Sequence, residues 1–398
     1  MDFLFDGPFP VFRAAFLLLL LLVPLVMIHE LGHFITARLF GIKVLEFAIG
    51  FPPRVKGLVW KRGETEYTVN WLPIGGFVRL LGEEDPSDPR SLAAAAAWKR
   101  LVVIYAGVAI NIVAAIALFS FGFMLPRERS LSLAQVTSVA EGSPASEAHV
   151  TGDMRDGSEP VQSILVGDLI LQVEGREIKN VDEMLLANRL NLGEDQHWLI
   201  NRGGSILEAD VYARWSPPAG QGPTGITVGP PSTCTDVDAD GNPVNCQLLY
   251  PFTETQQYWP WDAVRHGWNQ LLDTVVLTKN EIQVMFAGTS GASLSGEGQP
   301  VFSGPVGIAE TTDNIVQQAG WRPLIELAAL LSLSLAFFNV LPIPGLDGGR
   351  ALFIFIEILR GGRRISPERE GLVHLAGMAL LLAFAVVITG FDIDRLLS

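Results

Sequence analysis

Four apolar segments decide what this chain can fold into. They run roughly Phe12–Phe40, Leu101–Leu125, Leu324–Leu341 and Leu372–Thr389, and each approaches the ~20 residues a helix needs to cross the hydrocarbon of a bilayer. Inside lipid every backbone N–H and C=O must find its partner within the chain, so such segments are expected to be helices. The chain is 49% hydrophobic over 398 residues, with a mean hydropathy of +0.33, which agrees with a polytopic α-helical membrane protein of about four transmembrane helices. The first segment does not read as a cleavable secretory signal, because Arg13 is the one basic residue at its start and no small-residue cleavage site follows.

Charge gives the expected orientation. The net charge is −14, and Pro126–Asp273 holds 21 acidic and 9 basic residues, a balance of −12. Arg38–Arg100 holds 10 basic and 7 acidic, a balance of +3, and Arg350, Arg360, Arg363, Arg364 and Arg369 crowd the connection between the last two apolar segments. Short cytoplasmic loops are enriched in Lys and Arg. Residues 41–100 and 350–370 are therefore expected inside the cell, with both termini and residues 126–320 outside, which an even number of spans permits. Cys234 and Cys246 fall in that outer region, where a disulfide can persist; two free thiols are the alternative. Between them, Asp236, Asp238, Asp240 and Gly241 resemble the start of a calcium loop, but Gln247 stands where a bidentate Glu would be needed. A plain acidic turn is the preferred reading.

Four regions follow from this pattern. Residues 1–125 form a membrane part with a cytoplasmic β-rich stretch, "VLEFAIGFPPRVKGLVWKRGETEYTVNWLPIGGFVRL", which reads as several short strands. "SLAAAAAWKR" reads as helical and leads into the second span, where Asn111 reads as an interhelical hydrogen-bonding group. Residues 126–215 form a soluble α+β module: strand, small helix, strand, strand, helix and two closing strands. Residues 216–320 read as a Pro-, Gly- and Asp-rich loop followed by an amphipathic helix, whose Trp259, Trp261 and Trp268 would suit a membrane interface. Residues 321–398 form the second membrane part.

The chemistry lies in "VPLVMIHELGHF". Ionisable groups are costly in hydrocarbon, and in an apolar helix they mark function. His29 and His33 stand at i and i+4, on one helix face, where both can bind one Zn²⁺ while Glu30 acts on a bound water. The bland alternative is a pair of satisfied core histidines beside a buried Glu. A third ligand is still needed. The metzincin pattern fails, since Thr36 and Leu39 occupy the required Gly and His positions, and Glu46 and Glu64 miss a thermolysin-like spacing. "FFNVLPIPGLDGGR" breaks the third span at Pro342, Pro344 and Gly345, and the break carries Asp347. Irregular backbone at membrane depth is tolerated where protein buries it or a watery cavity is lined, so Asp347 is the better candidate. His374 is the weaker competitor, and a helix N-cap is the alternative role for Asp347.

"HELGHF", the distant "NVLPIPGLDGGR" and the module between them resemble the site-2 protease family of intramembrane zinc metalloproteases, closest to its bacterial, single-PDZ branch. "GDLILQVEGREI" is the most PDZ-like stretch, "WLPIGGFVRL" is similar to the family's membrane-associated β-hairpin, and "SGPVGIAE" matches a segment before the third span. The chain departs from the family at Val108 in "AGVAIN", where Pro is usual, and in an insertion of about 15 residues (Thr151–Leu165) within the PDZ-like module.

The resemblance implies Zn²⁺ held by His29, His33 and Asp347, with Glu30 as the base. It also implies that Asn339 hydrogen-bonds the substrate backbone and that the Gly75-Gly76 hairpin offers a strand edge to it. The implied activity is endopeptidase cleavage of the transmembrane segment of single-span membrane proteins, such as trimmed anti-sigma factors, in regulated intramembrane proteolysis. The expected setting is the bacterial inner membrane, with the lipid bilayer and such substrates as partners, no nucleic acid, and an oligomeric state left open. The opposing reading is a non-enzymatic zinc-binding or adaptor protein that presents its PDZ-like module, but such a protein would not need Glu30.

Overall fold

The chain's apolar segments fold as helices, and among the described residues four helices are long and apolar enough to cross a membrane: Arg13–Leu39, Ala97–Met124, Pro323–Val340 and Pro367–Asp394. The computed structural model describes residues 10–397 except 84, 156, 158, 219, 238–242, 249–251 and 287–303. Helix α1 (Pro10–Leu39) continues past Pro24, which cannot donate to the ladder. A hairpin region follows, with β1 (Val44–Arg62) and β2 (Thr65–Leu80). The second span is α2 (Ala97–Met124). The chain divides into two compact units: Met1–Gly122, Pro260–Trp268 and Phe302–Ser398 form one, and Phe123–Trp259 with Asn269–Val301 the other.

In the first unit, β1 and β2 pair twice because each folds on itself. Residues 46–49 of β1 pair with residues 76–79 of β2 on one side and with 66–69 on the other. Positive φ at Gly50 (+76°) and Gly75 (+77°) makes the reversals possible, since non-glycine residues rarely adopt that region. The expected short strands are thus present, but they join into one small sheet whose Gly76–Leu80 strand lies at an edge. The Ala-rich segment departs from the helical reading: Ser91–Ala96 forms turns, and helix begins at Ala97. Leu92 N–H bonds Leu81 O at 2.9 Å and Ala93 N–H bonds Gly82 O at 3.0 Å, which ties this segment to the end of the hairpin region.

After the second unit the chain returns through α4 (Pro260–Phe286), α5 (Pro305–Ala319), α6 (Pro323–Val340), α7 (Asp347–Leu359) and α8 (Pro367–Leu397). Buried polar links fix these helices. Arg13 of α1 bonds Asp313 of α5 at 2.7 Å, Arg100 of α2 bonds Glu357 of α7 at 2.7 Å, and Ser332 of α6 donates to Asn111 O of α2 at 2.9 Å. Charges at this depth are tolerated because they are paired.

The second unit holds an antiparallel sheet in the order β10-β4-β6-β8-β9-β5, with β7 on β6. Its strands are β4 (Ala134–Val139), β5 (His149–Thr151), β6 (Leu169–Val173), β7 (Arg176–Glu177), β8 (Asp195–Arg202), β9 (Ser205–Tyr212) and β10 (Ile226–Gly229). Alternation sets the core: β9 reads buried, exposed, buried along its full length. Trp198, Ile170, Ile200 and Leu207 are fully buried with Met184 and Ala187 of helix α3 (Val181–Leu190). Buried Asp168 is held by Arg202 at 2.7 and 2.8 Å. Two expectations change here. The small helix expected around Ser143–Ala148 is a run of turns. Residues 216–258 are more than a linker: β10 extends the main sheet, β11 (Ser232–Val237) pairs β12 (Pro243–Leu248), and β13 (Thr253–Gln256) pairs β3 (Arg127–Ser130). Cys234 and Cys246 are direct register partners in the β11–β12 ladder. The Asp238 and Asp240 positions of the suspected calcium loop lie outside the described residues.

Candidate metal centre

Small residues let the first two spans touch at the motif. A Cβ on Gly32 would stand 2.5 Å from Ala106 O, so the α1 and α2 backbones are in direct contact there. A Cβ on Gly107 would lie 2.6 Å from both His29 Cε1 and His33 Nε2. Both imidazoles therefore lie directly against bare α2 backbone. From that backbone Val103 O accepts the His33 Nδ1–H at 2.8 Å. A carbonyl can only accept, so His33 carries a proton on Nδ1 and its Nε2 faces His29 and Asp347.

The broken segment after α6 brings in the carboxylate. The chain leaves α6 at Val340 and re-enters helix at Asp347, the first residue of α7. Gly348 and Gly349 make this tight return possible: Cβ atoms there would stand 2.1 Å from Leu341 O and 2.4 Å from Ile343 O. Leu346 occupies the N-cap position and no side chain caps the helix, so Asp347 does not serve as the N-cap. Its Oδ2 instead lies 2.9 Å from His29 Nε2 and 3.2 Å from His33 Nε2, while the two Nε2 atoms are 3.2 Å apart. His29 and His33 are buried and Asp347 nearly so.

These spacings fit a tetrahedral Zn²⁺. Ligand atoms at the usual ~2.0–2.1 Å from zinc stand about 3.3 Å from one another. Among the described residues, His29, His33 and Asp347 are the group of His, Cys, Asp and Glu side chains gathered closely enough to hold a metal. His374 is outside it. Its Nδ1 accepts the Gly345 N–H at 3.0 Å, so it supports the broken segment from α8.

Glu30 lies beside this group on α1, and its Oε2 accepts the Val78 N–H at 2.9 Å. That bond ties the edge strand of the hairpin sheet to the motif helix. Gly76 is wedged in the same contact, where a Cβ would meet Met27 Sδ at 2.4 Å and Ala48 O at 2.7 Å. Gly75 sits at the reversal above Phe51 and Val26. Asn339 is half-buried in the last turn of α6, outside the group formed by His29, His33 and Asp347.

The sequence reading undervalued one stripe. Val103, Gly107 and Asn111 recur every four residues along α2, and all three face the histidines; Asn111 Nδ2 lies 3.3 Å from His29 Nδ1. A carbonyl, a gap and an amide at helical spacing in an apolar span were the signal available.

The sequence profile of peptidase family M50 matches residues 16–384. The chain belongs to this family. A protein of Clostridium perfringens named as a candidate zinc metalloprotease is 32% identical over 372 residues, covering 93% of this chain and 95% of its own. A Clostridium acetobutylicum protein named in the same way is 27% identical, covering 93% and 94%. Zinc metalloprotease RasP of Oceanobacillus iheyensis is 25% identical over 454 residues, covering 94% and 96%. The M50 chain is thus a zinc-dependent metalloendopeptidase of the site-2 protease type, built as a multi-pass protein of the bacterial membrane.

Proposed function

We propose that His29, His33 and Asp347 hold the zinc, that Glu30 is the general base, and that the enzyme cleaves transmembrane segments of single-span proteins such as trimmed anti-sigma factors. The observation that carries this reading is the mutual approach of the three donor atoms, at 2.9–3.2 Å, among helices apolar enough to cross a membrane. Zinc, when bound, supplies Lewis-acid polarisation of the scissile carbonyl and activation of a water. Glu30 takes the proton from the attacking water and delivers it to the leaving amine. Its bond from Val78 N–H aims the carboxylate and leaves a second oxygen for that proton.

The edge strand Gly76–Leu80 supports substrate binding by strand addition. A peptide bond within a helix is shielded by its own hydrogen bonds, so the substrate must be unwound, and an edge strand offers the exchange partners. Asn339, eight residues before Asp347, is assigned to the substrate backbone by the family resemblance. The sheet and helix α3 of the second unit are assigned as a PDZ-like domain outside the cell, with the hairpin sheet inside, an orientation supported by the Arg-rich 350–370 connection. The domain boundaries 1–125, 126–215, 216–320 and 321–398 remain part of this proposal.

Co-expression of the wild type or Glu30→Gln with a panel of single-span membrane proteins tests it. Fragments cut within the spanning segment in wild-type cells alone support the reading. Identical fragments in both would remove Glu30 from the mechanism, and cleavage confined to soluble domains would remove the intramembrane substrate.

A further inference from the structure

The two imidazoles at the centre are held from the same helix by different means. His33 Nδ1 faces Val103 O, a permanent acceptor. His29 Nδ1 faces the side chain of Asn111, two helical turns further along α2. Asn111 is fully buried, and its Oδ1 has no hydrogen-bond partner. A primary amide offers either a donor or an acceptor, and a half-turn about χ2 exchanges the two at nearly the same positions.

Resting on the assignment of His29 as a zinc ligand, we propose that Asn111 is a positioning residue whose Oδ1 accepts the His29 Nδ1 proton and so fixes the tautomer that turns Nε2 toward the metal. A metal-facing Nε2 must be unprotonated, so the neutral ring carries its hydrogen on Nδ1. That hydrogen is buried and needs an acceptor, and the Asn111 amide lies within reach. The orientation with Nδ2 toward the ring would force Nδ1 to accept and put the proton on Nε2, against a cation. The orientation with Oδ1 toward the ring gives the orphaned oxygen its donor and repeats on His29 what Val103 O does on His33.

Gly107 makes the arrangement possible, since a side chain there would overlap both rings and push α2 away. The backbone on the far side is fixed as well, because Asn111 O accepts from Ser332 Oγ at 2.9 Å. Asn111 meets the outer nitrogen of His29 rather than Nε2, so its effect runs through the orientation and proton placement of that ring. Groups that hydrogen-bond the outer nitrogen of a metal-bound His typically change metal affinity about 10–100-fold.

The test measures zinc affinity of the full-length detergent-purified protein by chelator competition, with the visible spectrum of the Co²⁺-loaded form as a second readout. Three variants are compared. Asn111→Leu removes the acceptor at similar volume, Asn111→Asp offers only acceptors, and His29→Ala checks the ligand assignment. Asn111→Leu is expected to bind zinc about 10–100-fold more weakly with a shifted Co²⁺ band, and Asn111→Asp to stay within about threefold of wild type or bind tighter. Wild-type affinity in Asn111→Leu overturns the proposal, as does an Asn111→Asp variant as weak as Asn111→Leu, because the amide would then act as donor or filler. If Asn111→Leu does not fold, Asn111→Asp decides alone: retention supports an acceptor role and loss overturns it. Zinc retained by His29→Ala would instead sink the ligand assignment, a failure distinct from that of Asn111.

Discussion

The Glu30 carboxylate accepts the backbone N–H of Val78 at 2.9 Å, so the proposed base and the edge of the hairpin sheet are parts of one contact. Either element displaced would misplace the other. Glu30→Gln is predicted to keep that contact, because its amide oxygen can still accept from Val78 N–H, while losing the proton carrier. Zinc content should be unchanged and cleavage of a spanning-segment substrate should fall about 10²–10⁴-fold. Metal analysis alongside a gel-based cleavage assay checks both halves; a turnover within tenfold of wild type would assign the base elsewhere.

Asp347→Asn should reduce zinc affinity and activity together. A neutral amide is a poor zinc ligand, and the substitution also leaves His29 and His33 without the carboxylate now 2.9 and 3.2 Å away. The helix start itself should survive, since Asp347 caps nothing. Stoichiometric zinc with normal turnover would move the third ligand away from this residue.

Gly76→Ala probes the hairpin without touching the metal. The added Cβ would collide with Met27 Sδ and with Ala48 O, a backbone atom that cannot swing aside. The edge strand should shift off α1, weakening the Val78–Glu30 bond. Cleavage is predicted to fall at least about tenfold while zinc affinity stays within a few-fold; a cleavage rate equal to wild type would argue against strand-edge binding at this position.

The Arg13–Asp313 pair predicts an acid-sensitive clamp between α1 and α5. The Arg13 hydrogen bond, helped by Gln317, holds the Asp313 carboxyl below the usual carboxylate range. A depressed folded value means the contribution is fully present above the unfolded pKa near ~3.9 and is lost as pH falls through the lower folded one. Both side chains are about nine-tenths buried, and breaking such a pair costs on the order of 3 kcal/mol. Asp313→Asn should therefore lower the Tm at neutral pH and flatten the loss of stability below pH 4. Parallel melting curves for the two proteins at pH 3 and pH 7 measure this, and an unchanged neutral Tm would deny the clamp.

How far the sequence was legible depends on whether a signal was local. The i, i+4 spacing of His29 and His33 is a property of one helix, and the Pro342–Gly345 break announces itself in an otherwise apolar run, so both were readable. The contact that joins them across 318 residues could be argued only from depth and topology. The Val78 N–H bonded to Glu30 carries no side-chain signature at all, since any residue but proline supplies that donor. Asn111 was readable as a buried polar group but not as the partner of a particular imidazole, because helix rotation in a four-span protein is set by packing. The 226–256 strands were missed for another reason: Pro, Gly and Asp dominate the composition there, while pairing is decided by the neighbours β4 and β3.

The last prediction concerns the second unit, proposed above to be PDZ-like. Its sheet has its own buried core around Trp198, Ile170 and Leu207, and it is inserted in the chain between the second and third spans. If it excludes substrates with large outer domains, its removal should admit them. The pairing of β3 with β13 supplies the cut: Ser130 and Thr253 are register partners, and Leu131 N–H bonds Phe252 O at 2.9 Å. Partners in an antiparallel ladder stand about 5 Å apart, so residues 131–252 can be replaced by a short Gly/Ser turn that closes the ladder. The α4 face that packs Val284 against Leu192 and Ala213 loses its cover in this deletion, so Val284→Ser is included to keep the truncated protein soluble. The filter hypothesis predicts cleavage of untrimmed substrate by the deletion protein, with an unchanged rate on trimmed substrate. A deletion protein that binds zinc, cleaves trimmed substrate and still rejects the untrimmed form would rule the filter out. Loss of cleavage on both forms, with zinc retained, would show that the unit recruits substrate or stabilises the enzyme rather than screening.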